Sequence, residues 1–293
     1  MVDLKGKRVL ITGGASGIGR CTAEEFAQAG CVLILSDINK ESLEKTAQEL
    51  RQKFNVVVHP RVVDVSQRSQ VEECARWTLK TLKGLDILIN NAGIGYSGEL
   101  VETSLETWKR LLDINFWGPL YHVYAFLPSM IQQGHGQIVN VSSGQAFFRL
   151  PTWGAYATVK LAMGAFSEIL HFEVKKLNID VTTFYPFMVN TGFYKGISGE
   201  TFVQRLSMRL QPYYSMSPQK VAKILFNAVR KKKGIEMVSF FNRLASLFRV
   251  VPKIPDIAGH ATVAFLGQKP EKLRQLILSG RRKKSNDPSS SSH

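Results

Sequence analysis

The chain has no apolar run of the ~18 residues that a membrane-spanning helix requires, so none is expected. The first strand-like segment begins by Lys7, so no secretory leader is expected. Cysteine is scarce. Cys21, Cys31 and Cys74 are odd in number and lack metal-ligand spacing, consistent with reduced thiols in a cytosolic setting. The six histidines are scattered without a local metal motif, and no metal is expected. Acidic residues are scarce in one region only: residues 195–293 hold 19 Lys and Arg against 5 Asp and Glu. Nearly all of the net charge of +15 therefore lies in the C-terminal third.

Near the start, the β-branched run Arg8-Val9-Leu10-Ile11 passes directly into Thr12-Gly13-Gly14-Ala15-Ser16-Gly17-Ile18-Gly19 and then a helical stretch. Glycines in a strand-to-helix turn allow positive φ and bring backbone N–H groups close to a pyrophosphate, which the positive end of the helix then holds. A ligand-free tight turn is the simpler alternative. A second buried strand, Cys31–Asp37, ends in an acid at the distance where a carboxylate accepts hydrogen bonds from an adenosine ribose. Asp37 would also repel a 2′-phosphate, although as a residue type it equally suits an ordinary turn.

Strand and helix patterns then alternate. Helical periodicity covers Lys40–Lys53, Gln67–Leu82, Ser104–Leu112 with an extension from Gly118 to Gln133, and Tyr156–Leu177. Strand character covers Asn55–Val63, Asp86–Asn90, Gln137–Ser142, Asp180–Phe184 and Ile235–Phe240. The pattern predicts an α/β fold: one Rossmann-like, doubly wound, mostly parallel seven-stranded sheet with helices on both faces and ligands at the carboxyl ends of its strands. The expected organisation is a dinucleotide-binding and catalytic domain over 1–240, including a substrate loop at about 190–217, then a basic amphipathic extension over 241–284 and a disordered tail over 285–293.

Tyr156 and Lys160 are one helical turn apart, so both project from one helix face. A nearby ammonium favours phenolate over phenol and makes a tyrosine a better proton donor or acceptor. Ser143 stands thirteen residues before Tyr156, at the end of a strand. Serine at such a place can also simply cap a turn, and Asn115 can cap the helical stretch that follows it.

The ordered set Thr12-Gly13-x-x-x-Gly17-Ile18-Gly19, Asp64-Val65, Asn90-Asn91-Ala92-Gly93, Asn115, Ser143 and Tyr156-x-x-x-Lys160 resembles the classical short-chain dehydrogenases/reductases over about residues 5 to 192. The resemblance implies an NAD(P)(H)-dependent oxidoreductase that interconverts an alcohol and a carbonyl. Tyr156 would be the general acid or base, and Ser143 would hydrogen-bond the substrate oxygen. Lys160 would lower the tyrosine pKa and hold the nicotinamide ribose, and Asn115 would anchor a water between Lys160 and solvent. Gly13, Ser16, Gly17, Ile18 and Gly19 would line the pyrophosphate turn, Asp64 and Val65 would flank the adenine, and Asn91, Ala92 and Gly93 would support the sheet and cofactor. Family resemblance also implies a homodimer or homotetramer.

After the sixth strand the family usually reads Pro-Gly-x-Val-x-Thr, where this chain has Pro186-Phe187-Met188-Val189-Asn190-Thr191. Val189 and Thr191 keep the places that bind the nicotinamide carboxamide, while a phenyl ring replaces the small glycine. Phe187 and Phe193, with Phe147, Phe148, Trp153, Met188 and Tyr194, are expected around the mouth and suit a steroid-, retinoid- or lipid-like substrate better than a sugar. Asp37, and a turn whose central positions are Ala15 and Ser16, favour NAD(H) over NADP(H); Arg20, just past the turn, argues the other way.

The C-terminal cations include Arg230-Lys231-Lys232-Lys233 at a helix end and Arg281-Arg282-Lys283-Lys284. Between them, Phe240–Val251 sets apolar residues at helical intervals among arginines, as in an interfacial helix. That pattern fits a cytoplasmic protein held peripherally on an anionic membrane, or a helix packed on the core; nucleic acid is the less favoured partner. The alternative to an enzyme is a non-catalytic dinucleotide-fold scaffold that binds membrane or nucleic acid through this region.

Overall fold

The structure, a computed structural model, describes residues 2–148, 152–191 and 215–248. Seven strands form a single sheet in the order β3-β2-β1-β4-β5-β6-β7: β1 (Arg8–Thr12), β2 (Val32–Asp37), β3 (Val58–Val62), β4 (Ile87–Asn90), β5 (Gly136–Val141), β6 (Ile179–Tyr185) and β7 (Ile235–Met237). Every pairing is parallel. The chain winds outward from β1 to β3, returns to β4 beside β1, and winds the other way, so a crevice opens at the carboxyl ends of β1 and β4.

Helices cover both faces because the central strands are apolar on both sides. On one face α1 (Gly17–Gln28), α2 (Lys40–Phe54) and α8 (Pro218–Arg230) bury Phe26, Leu43 and Leu225 against Val9, Ile11 and Leu33. On the other, α3 (Arg68–Leu82), α5 (Gly118–Gln133) and α7 (Gly154–Val174) bury Val71, Phe126 and Leu170 against Leu88 and Ile138. Between them in sequence come α4 (Leu105–Leu112) and α6 (Gln145–Phe148), and α9 (Phe240–Phe248) follows β7. Side-chain caps start several helices: Asn39 accepts from the Ser42 amide, and Ser217 from the Lys220 amide one residue ahead of Pro218.

Three differences from the sequence reading have a local cause. The strand expected over Asn55–Val63 begins at Val58, because Asn55 takes a left-handed conformation (φ 52°) that ends α2. The strand expected to reach Phe240 stops at Met237, since the Ser239 hydroxyl accepts from the Asn242 amide and turns the chain into α9. Between α4 and α5 the chain makes a π-helical turn, Asp113–Trp117, closed by the Gly118 amide donating to the Asp113 carbonyl. The substrate loop expected at about 190–217 lies largely outside the described residues, as do Phe193 and Tyr194, the chain beyond 248 and the expected tail.

Candidate active site

A cleft of about 900 Å³ opens at the carboxyl ends of the strands. Its floor begins with the turn after β1. Gly13 has φ 65°, and a Cβ there would come within 3.0 Å of the Ala92 Cα and the Asn91 side chain, so only glycine lets the β1 and β4 loops meet. Thr12 and Asn91 tie those loops together. The Thr12 hydroxyl accepts from the Asn91 and Ala92 amides at 3.0 and 2.9 Å, and the Asn91 amide nitrogen donates to the Thr12 carbonyl at 2.9 Å.

Gly17 also has positive φ (52°) and lies against Thr191, which joins the glycine turn to the loop after β6. Gly19, expected to line the turn, is instead buried behind it. A Cβ on Gly19 would sit 2.1 Å from the Gly13 carbonyl oxygen, so this glycine lets α1 start hard against the turn. Ser16 is the N-cap residue but makes no side-chain cap bond, and the first amides of α1 have no intrahelical partner. Such amides suit an anion.

Asp37 closes this end. Its Oδ2 accepts from the Ala15 amide at 3.1 Å and its Oδ1 from the Asn39 amide at 3.0 Å, which aims the carboxylate at the cleft beside the turn. Arg20 is held elsewhere, 2.5 Å from Glu49, and does not line the cleft. Asp64 and Val65 line the adjoining wall, the Asp64 carboxylate accepting from both the amide and the hydroxyl of Ser66. The glycine cradle, open amides, carboxylate and apolar Val65 together fit a dinucleotide.

At the other end the reactive groups converge. Tyr156 and Lys160, both on α7, line the cleft with Ser143 just beyond β5. Lys160 is only 4% exposed; its ammonium donates to the Val141 carbonyl at 3.0 Å and lies 5.9 Å from the centroid of the Tyr156 ring. Burial pushes its pKa down to about 8, because the charged form loses solvation. The adjacent serines are separated by their bonds: Ser142 Oγ donates to the Lys160 carbonyl at 2.7 Å, whereas Ser143 Oγ accepts from the Gln145 amide at 3.2 Å.

Asn115, fully buried in the π turn, stands behind the cleft wall and does not cap a helix with its side chain. Its Oδ1 accepts from the Ile94 amide and its Nδ2 donates to the Ile94 and Leu111 carbonyls. Gly93 brings it to Lys160: a Cβ on Gly93 would lie 2.7 Å from Asn115 Oδ1 and 3.4 Å from Lys160 Nζ.

Phe187, expected in the substrate wall, packs instead on Phe148, with ring centroids 4.7 Å apart, and over Gly144. Met188 takes positive φ (45°) there, and Pro186, Met188 and Val189 line the cleft in its stead. Phe147 lies against Tyr185, while Trp153 meets Tyr156 edge-on at 5.9 Å.

A short chain dehydrogenase family model matches residues 7–200. The chain belongs to the short-chain dehydrogenase/reductase family. It is thus an oxidoreductase of that family. Epidermal retinol dehydrogenase 2 of Mus musculus is 32% identical over 277 residues, covering 91% of this chain and 87% of that protein. Estradiol 17-beta-dehydrogenase 11 of Mus musculus is 34% identical over 255 residues, covering 86% and 82%. Among solved structures, a short-chain dehydrogenase/reductase from Burkholderia phymatum in complex with NAD superposes with a TM-score of 0.78 at 26% identity, over 88% of this chain and 97% of that one. L-sorbose reductase from Gluconobacter frateurii, complexed with NADPH and L-sorbose, gives 0.72 at 26% identity, over 80% and 95%.

Sequence reasoning missed several residues that this short-chain dehydrogenase/reductase places in the cleft: Ile38, Tyr96, Ser97, Arg110 and Ile114. Ile38, exposed right after Asp37, had a detectable signal as an apolar residue in a turn. Arg110 and Ile114 had none: one is an ordinary helix residue and the other lies in the π turn that follows, and neither position is marked by spacing.

Proposed function

We propose that this short-chain dehydrogenase/reductase interconverts an alcohol and a carbonyl on a hydrophobic, steroid-, retinoid- or lipid-like substrate, with NAD(H) preferred to NADP(H). The observation that carries the reading is the convergence of Ser143, Tyr156 and buried Lys160 on one cleft that continues to the glycine turn. The bound nicotinamide supplies or accepts the hydride.

The chain's own groups do the rest. Tyr156 Oη delivers a proton to the carbonyl oxygen in reduction and removes it from the alcohol in oxidation. Ser143 Oγ, already positioned by the Gln145 amide, donates to the same oxygen as negative charge develops there. The Lys160 ammonium, fixed by the Val141 carbonyl, favours the phenolate form of Tyr156 and also serves the nicotinamide ribose hydroxyls. Asn115 holds the Ile94 backbone and lies across Gly93 from Lys160, where it would anchor a water between Lys160 and solvent. Gly13, Ser16, Gly17 and Ile18 would hold the pyrophosphate and Val65 the adenine, with Val189 and Thr191 at the carboxamide.

Charge supports NAD(H). Asp37 faces the place of the adenosine ribose, where a 2′-phosphate would meet like charge, and Arg20 is engaged by Glu49. Trp153 against Tyr156, and Pro186 and Met188 in the cleft lining, together with similarity to a retinol and an estradiol dehydrogenase, support the substrate class.

Rates of NADH oxidation with a panel of steroid, retinoid, decalone and sugar carbonyls test the proposal. Tyr156→Phe is expected to lower kcat by about 10²–10⁴ while NADH affinity stays within about twofold. Equal rates for wild type and variant, or turnover confined to small polar carbonyls, refute it.

A further inference from the structure

Ser143 stands on a turn that carries the sheet past its regular end. The Ser142 amide donates to the Phe184 carbonyl and the Gly144 amide to the Pro186 carbonyl, both at 2.8 Å, so the serine sits between two rungs to the chain leaving β6. Carbonyls alternate in direction along an extended chain, so the Tyr185 carbonyl between those rungs points the other way, towards β7. That strand ends at Met237, and the residue after it supplies the Val238 amide at 3.2 Å. A side chain from beyond the strand completes this edge. Asn242, on α9, donates Nδ2 to the same carbonyl at 2.9 Å.

Asn242 also reaches the serine turn itself. It is fully buried, and a Cβ on Gly144 would lie 2.5 Å from its Oδ1 and 2.7 Å from the Phe187 ring. Only a glycine next to Ser143 admits both neighbours. Phe187 is in turn stacked on Phe148, and the Asn242 amide donates to Ser239 Oγ at 3.1 Å, so both groups that press on Gly144 are themselves held.

The choice of asparagine is not explained by stability. Among the described residues no hydrogen-bond donor reaches its Oδ1, and a buried acceptor left unpaired weakens the fold. An apolar side chain of similar size would avoid that cost, and the Tyr185 carbonyl would keep the Val238 amide. What an apolar side chain could not do is tie the Tyr185 carbonyl at a set distance from Gly144. Asn242 does not line the cleft, so it acts only through what it holds.

We infer that Asn242 is a positioning residue for the reaction: by tying the Tyr185 carbonyl and bearing on Gly144, it sets where the Ser143 hydroxyl stands relative to Tyr156. It lies beyond residues 7–200, which the family model matches, so the device belongs to this chain's C-terminal part. The catalytic consequence rests on the role proposed above for Ser143; the lock itself does not.

Asn242→Leu, close in size, and Asn242→Ala, which leaves a cavity and cannot overfill one, are compared with wild type in the full chain. In both, kcat for carbonyl reduction should fall about tenfold while KM for the carbonyl and NADH affinity stay within about twofold. In a Ser143→Ala background the same substitutions should change kcat by less than about twofold, because the hydroxyl they displace is gone. Amide hydrogen exchange, followed by NMR, reads the lock without turnover: Ser142 and Gly144 should exchange about tenfold faster in both variants, with Leu88 and Ile138 unchanged.

Unchanged exchange at Gly144 overturns the lock, whatever the activity. Faster exchange with kcat intact, a loss confined to KM, or an equal loss of kcat with and without the Ser143 hydroxyl overturns the positioning role. If Ser143→Ala and Tyr156→Phe each keep wild-type turnover, the proposed catalysis fails instead, and faster exchange at Gly144 still establishes the lock.

Discussion

Replacing Lys160 exposes the cost of the site. A lysine whose folded pKa has fallen from 10.5 to about 8 through burial disfavours the folded state wherever it is charged. At about 1.4 kcal/mol per pH unit, the cost is about 3 kcal/mol at pH 7. Between pH 8 and 10.5 the unfolded chain binds more protons at this residue than the folded one, so stability rises with pH across that window. Below pH 8 the full cost is present.

Stability at a single pH would mix this cost with the lost bond to the Val141 carbonyl. The pH dependence does not, because an uncharged amine still donates to that carbonyl. Tyr156 titrates nearby, so the comparison belongs in a Tyr156→Phe background: Tyr156→Phe against Tyr156→Phe/Lys160→Met, by urea unfolding of the cofactor-free protein at pH 7 and pH 10. The lysine-containing protein should gain about 2–3 kcal/mol relative to the other between the two pH values. A difference that stays constant to within about 0.5 kcal/mol means that Lys160 is solvated, and it refutes the buried-ammonium account.

Three further outcomes follow from the same geometry. Asp37→Asn, which keeps a side-chain oxygen for the turn, should narrow the preference for NADH over NADPH by about tenfold, measured as the ratio of kcat/KM values. Gly19→Ala must push the Gly13 carbonyl away; it should cost about 2 kcal/mol or more in stability and weaken NADH binding measurably by fluorescence titration. At the opposite end of the sheet, burial works against the Asp86 carboxylate, but hydrogen bonds from the Arg8 side chain and amide and from His135 outweigh it and hold its pKa well below the usual range. Its stabilising contribution is present above about pH 4 and is lost as pH falls towards the folded value. Asp86→Asn should thus cost about 3 kcal/mol at pH 7, by urea unfolding, with the difference shrinking below pH 4.

The order of seven strands was legible because strand and helix periodicities differ and the glycine turn marks the first crossover. The approach of Tyr156 to Lys160 was legible for the same reason: four residues on a helix leave little freedom. Asn115 was placed in the right segment, but the π turn that buries it was not foreseen, since one extra residue in a turn leaves no mark on apolar spacing. The direction of the Phe187 ring was equally hidden. It depends on Met188 taking a left-handed conformation, which is uncommon for a non-glycine residue and is imposed by tertiary contacts. Arg110 and Ile114 line the cleft without a spacing signal of their own, and the close packing of Gly118 on Val65 in the next turn is a tertiary contact that no periodicity records.

What holds the reactive pair in register is a change of character along the strands beneath α7. On that face the lower layer is apolar, with Leu88, Ile138 and Val181 packed with Leu170 and Val174. Two residues further along each strand the same face turns polar. Asn90 donates to its cross-strand neighbour Asn140 at 2.9 Å, and Asn140 donates to Ser167 on α7 at 3.1 Å. Higher still, Ser142 donates to the Lys160 carbonyl, and Tyr185 donates to Glu168 at 2.5 Å, its hydroxyl occupying the room left by Gly164. Apolar burial is non-directional, and a slide of one turn, ~5.4 Å, would keep much of it. Each hydrogen bond is worth only about 1 kcal/mol when made, but the same slide would leave three buried donors unpaired at about 1–3 kcal/mol each. The apolar layer therefore attaches α7 to the sheet, and the polar layer decides where Tyr156 and Lys160 stop.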